Sequence, residues 1–159
     1  MFVLDLLSRW THVGAAIVLM GGAIFTRFVL MPAAAELPEE QHLALKERLR
    51  VRWSKFVMSG IAMLLLSGFY NFYVGMGQHK GQPPLWHILA GTKMLLGFGA
   101  FFLASVLSGR SAKFAPLRAN AKKWLGILVL LLTVITAIGG YLKVGVPANP
   151  VNPTPVYNF

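Results

Sequence analysis

Two histidines stand beside tryptophans at corresponding points of two apolar stretches: Trp10 precedes His12, and Trp86 precedes His87. Tryptophan concentrates at the membrane–water interface, so each one marks a depth. Two imidazoles at one depth, on helices running in the same direction, could ligate one metal between them. A haem b iron with two axial imidazoles fits such a site, because helix bundles build cofactor sites from facing side chains. Gly14, Ala15, Ala16 and Gly91 lie close by and would let a flat macrocycle approach. A single interfacial histidine also serves as a headgroup-level hydrogen-bonding residue, so the matched pair carries the argument.

Arg27 and Lys93 are cations within apolar stretches that hold no Asp or Glu. A charge in hydrocarbon costs a few kcal/mol or more and marks a functional position by default. Arg27 precedes Pro32 by five residues, about 7–8 Å of helix, so its guanidinium could instead reach the interface along its own stem. Lys93 lies seven residues past Trp86, about 10 Å deeper. Porphyrin carboxylates would supply the missing negative charge. The expected metal ligands are therefore His12 and His87, with Lys93 and Arg27 as further cofactor contacts. Tyr70, Asn71, Tyr73 and Tyr141 are candidate supporting partners, whereas His42 and His79 fall in polar segments and are expected to be solvated. The chain has no cysteine, so disulfides and thiolate metal sites are excluded. Its seven methionines are dispersed, without the thioether ladder that copper(I) handling favours. No P-loop, Ser/His/Asp arrangement or carboxylate pair is present.

The elements that must hold these residues belong to a bilayer. Of 159 residues, 56% are hydrophobic and 13% charged, against a usual charged share of about 25%. Four nearly uncharged stretches predict helices over about 8–31, 53–76, 85–108 and 123–144, each near the ~20 residues that cross ~30 Å of hydrocarbon. Backbone groups in lipid must be satisfied internally, which requires helix. The expected fold class is all-α, an integral membrane four-helix bundle within residues 1–145, followed by a Pro-rich external tail over 146–159. An amphipathic helix is expected over about 38–52, with Pro38, Glu39 and Glu40 at its start, running on into the second span. Ala33, Ala34 and Ala35 resemble a signal-peptidase site, but Arg27 interrupts a long apolar run, which predicts an uncleaved spanning helix.

The net charge of +10 is segregated. Lys46, Arg48, Arg50, Arg52 and Lys55 separate the first two spans, and Arg110, Lys113, Arg118, Lys122 and Lys123 separate the last two. Positively charged short loops stay in the cytoplasm. Both termini are then expected outside, in the inner (cytoplasmic) membrane of a bacterium, and the charge is explained by anionic lipid rather than nucleic acid. A faint repeat, in which Trp10 leads Gly21 and Trp86 leads Gly97 by the same interval, suggests two hairpins related by an axis along the membrane normal.

Three segments carry a family resemblance: RWTHVGAAIVLMGGAIFTRFVL from Arg9, MLLLSGFYNFY, and LWHILAGTKMLLGF. Over residues 8–142 the chain resembles the copper-resistance D (CopD) family and its relatives, the HemJ-type protoporphyrinogen oxidases. The resemblance implies a four-helix fold. From the HemJ side it implies haem b, porphyrinogen oxidation, His12 as a haem ligand and Lys93 as a substrate or cofactor contact. From the CopD side it implies copper passage across the membrane. The expected function is a b-haem redox protein or redox subunit. A cofactor-free accessory subunit of a larger membrane complex, or a homo-oligomer, stands as one alternative, and a copper-passage protein as the other.

Overall fold

The computed structural model describes residues 2–148, which are helical with no strand. Four helices are long and apolar enough to cross a membrane. The first comprises α1 (Phe2–Phe25), a π turn (Thr26–Leu30) and α2 (Met31–Ala35). The second is the unbroken α3 (Glu39–Gln78), in which the polar segment runs directly into the apolar one. The third is α4 (Leu85–Ser108). A 3-10 turn (Ala112–Phe114) and α5 (Ala115–Ala119) lead to the fourth, α6 (Ala121–Gly145). The first helix thus starts earlier and ends later than the apolar stretch predicts. Of the Pro-rich tail, 149–159 lies outside the described residues.

The π turn has a local cause. Pro32 has no backbone N–H and its ring crowds the carbonyl four residues back. Widening the preceding turn relieves that crowding, and the Met31 N–H donates to the Thr26 carbonyl five residues back. Such bulges re-aim the side chains they contain, and this one contains Arg27.

The helices alternate in direction, and α1 packs chiefly on α3 and α4 chiefly on α6. Small residues set the approach of neighbouring helices. The Trp53 indole occupies the space where a Cβ at Gly22 would lie, Leu19 does the same at Gly60, and the Trp86 indole does so at Gly75. Close approach at small residues is what drives association where no hydrophobic effect separates helix from lipid. Ala23 of α1, Ala100 and Leu103 of α4, and Leu128 of α6 then form a buried core between the hairpins.

The outer surface is apolar: Leu66 is 76% exposed, Leu95 72% and Leu130 66%. A water-soluble protein rarely exposes a continuous apolar surface of that kind. The start of α1, the end of α6 and the 79–84 turn occupy one end, where Gly81 adopts a left-handed φ of 81°; the two basic connections occupy the other.

Candidate functional site

Polar residues gather between α1 and α3, in the half of the bundle nearer the termini. Asp5, Ser8 and His12 recur at helical spacing along α1 and meet Tyr70, Asn71 and Ser67 of α3. The Tyr70 hydroxyl donates to the Asp5 carboxylate at 2.7 Å. The Ser8 hydroxyl lies 3.2 Å from Asn71 Oδ1 and 3.3 Å from the Ser67 carbonyl. His12 Nδ1 lies 2.9 Å from Ser67 Oγ. Gly68, whose missing Cβ would come within 3.4 Å of the ring, gives the imidazole its room.

The hydrogen-bond directions fix the His12 tautomer. The Ser67 hydroxyl has one proton, which it donates to the Met63 carbonyl, an acceptor only. Its oxygen therefore accepts from His12, so Nδ1 carries the proton and Nε2 carries the lone pair. A metal-binding histidine has this arrangement, with one nitrogen anchored by a hydrogen bond and the other left to ligate.

Lys93 joins this site from the other hairpin. It is half-buried on α4, and its charge stands near enough to act on the His12 imidazole. Its Nζ lies 3.2 Å from where a Cβ at Gly139 of α6 would be, so the ammonium sits in a notch left by that glycine.

The structure does not bring His87 to His12. The α3 residues that meet His12 and Trp86 are Ser67 and Gly75, eight residues or about 12 Å of helix apart. His87 therefore lies more than a turn nearer the termini. It is exposed on α4, edge-on to Trp86 at 5.2 Å. Arg27 is distant too. It faces Gly126 of α6, thirteen residues or about 20 Å from the Gly139 notch of Lys93. Its guanidinium lies over the Phe28 ring at 5.1 Å, and its buried Nε has no partner among the described residues.

The two histidines expected to be solvated are both held. His42 Nδ1 donates to the Ala34 carbonyl at 2.7 Å, which ties the start of α3 to the end of α2. His79 is 5% exposed and stacks on Trp86 at 4.5 Å. Its ring nitrogens face the Gly75 and Val146 carbonyls at 2.8 and 3.2 Å.

Sequence reasoning missed Asp5 and Ser8, because α1 begins before the apolar run does. Their positions seven and four residues ahead of His12, on one face of a helix, were the available signal. Among the described residues, no three His, Asp or Glu side chains converge as a metal cluster, and Met63 is half exposed on the outer surface. Comparisons with protein-family models, curated proteins and solved structures gave no match.

Proposed function

We propose that this chain is a bilayer-spanning redox protein that binds haem b through His12 Nε2. The carrying observation is the relay from His12 Nδ1–H to Ser67 Oγ and on to the Met63 carbonyl. That relay presents an unprotonated nitrogen on a ring that cannot turn freely. The residues present would supply one ligand to the iron, His12, with Lys93 as the cation that would meet a propionate or other carboxylate. A bound haem supplies one-electron transfer. The residues of the chain orient the ligand, with Ser67 holding the ring and Gly68 leaving room for it. Lys93 supplies a positive charge that no acidic side chain of the predicted apolar stretches neutralises.

In this reading the helices span the inner membrane with the basic connections in the cytoplasm, which follows from the positive-inside rule. Absorbance of the protein, expressed with haem available and purified in mild detergent, is the test. A Soret band at one haem per chain is expected; a featureless visible spectrum refutes the reading.

A second reading has its own observation. At Gly14 and Gly21 of α1, and Gly91 and Gly97 of α4, an added Cβ would meet nothing. Outward glycines of this kind allow close packing on another helix, as an accessory subunit or homo-oligomer requires. A colourless protein that co-purifies with membrane partners would favour it.

A further inference from the structure

Between the two hairpins, in the half of the bundle away from His12, runs a cleft of about 950 Å³. Along α3 it extends from His42 to Leu64, about 33 Å of helix. Its deep walls are aliphatic, formed by Leu64, Ala100, Ala104, Leu128 and Leu132. Its outer end is basic: Lys46, Arg50, Arg118 and Lys122 line it against the single carboxylate of Glu47.

That carboxylate is already engaged by Arg50, and Arg110 lies 3.5 Å from it. Arg118 donates through Nη2 to the Ser111 carbonyl at 2.7 Å. Its Nη1 is buried and has no partner among the described residues. A buried donor left unpaired costs about 1–3 kcal/mol, more when charged, so it marks where a missing acceptor belongs.

We infer that the cleft holds one acyl chain of an anionic membrane phospholipid, with its phosphate on Arg118 and the neighbouring lysines. The cation–phosphate pairing and the apolar slot are in the right order along the helices, because the basic end coincides with the end of the apolar spans. Basic pockets between spanning helices recognise anionic headgroups in this way, and the planar guanidinium suits phosphate oxygens. The extended shape favours a chain over a flat macrocycle. This inference stands apart from the haem reading, since it uses neither His12 nor Lys93.

Native mass spectrometry of the protein, released from nanodiscs of equal phosphatidylglycerol and phosphatidylcholine, tests it. The expected result is one retained phosphatidylglycerol. Arg118→Gln removes the phosphate partner and Ala104→Phe fills the chain slot; each should lower retention about tenfold. Lys80→Gln, at the opposite end, should leave retention unchanged. Equal retention of both lipids would overturn the inference. So would wild-type retention in Ala104→Phe, which would mean headgroup binding at the surface alone. Displacement of the lipid by millimolar inorganic phosphate would also overturn it, because the site would then be one for a free anion.

Discussion

Replacing Ser67 by alanine isolates the relay that orients His12. The substitution removes the acceptor of the His12 Nδ1–H, 2.9 Å away. The Ser8 contact to residue 67 survives, because it reaches the backbone carbonyl. The Met63 carbonyl loses only a second donor, since the helix supplies its first. Loss of such a supporting hydrogen bond typically weakens metal binding 10–100-fold, or about 1.4–2.8 kcal/mol at 1.4 kcal/mol per tenfold. The fold should lose less, because interhelical hydrogen bonds in membranes average about 0.6 kcal/mol and reach about 1.7. Haem titration followed at the Soret band, beside unfolding in increasing fractions of sodium dodecyl sulfate, separates the two quantities. Ser67→Thr keeps the hydroxyl and should restore affinity to within a few-fold. An affinity within threefold of wild type in Ser67→Ala, with the same stability loss, would refute the role given to the relay.

Other expectations follow from the packing. Gly75→Ala places a methyl group where the Trp86 indole lies, and that indole is backed by Phe72 and His79. Overpacking at about 1–3 kcal/mol should outweigh the gain of up to about 1 kcal/mol in helix propensity, lowering the unfolding midpoint, with Trp86→Leu restoring it. Gly139→Ala brings its Cβ to 3.2 Å from Lys93 Nζ; the ammonium should leave its notch, and amine-reactive labelling of Lys93, read by peptide mass spectrometry, should rise several-fold. The chain lacks cysteine, so single cysteines report sidedness cleanly. Lys80→Cys should react with an impermeant maleimide from outside intact cells and Ser111→Cys only after permeabilisation; the reverse pattern would invert the orientation.

The four helices were legible because the apolar runs exceed what a globular core needs and the charges between them are segregated. The unbroken α3 was legible too, because no Gly or Pro separates the polar segment that starts at Pro38 from the second apolar stretch. What could not be read was axial register. Register here depends on particular insertions, Trp53 at Gly22, Leu19 at Gly60 and Trp86 at Gly75, and no single helix contains that information. Counting from each tryptophan therefore set His12 level with His87, whereas the packing sets His12 against Ser67 and Trp86 against Gly75. The same insertions bury His79, which lies in a polar stretch of sequence but beneath Trp86 in space. Arg27 was recognised as unusual, yet its aim depends on the π turn ahead of Pro32, and a proline announces a perturbed helix without specifying a π turn.

The most direct test of the account compares visible spectra of the His12→Ala and His87→Ala proteins, purified in parallel with wild type under equal haem supply. With His12 as the ligand and His87 exposed on the outer face of α4, the Soret band should be lost or shifted in His12→Ala and unchanged in His87→Ala. An unaltered band in His12→Ala, or its loss in His87→Ala alone, would contradict the assignment.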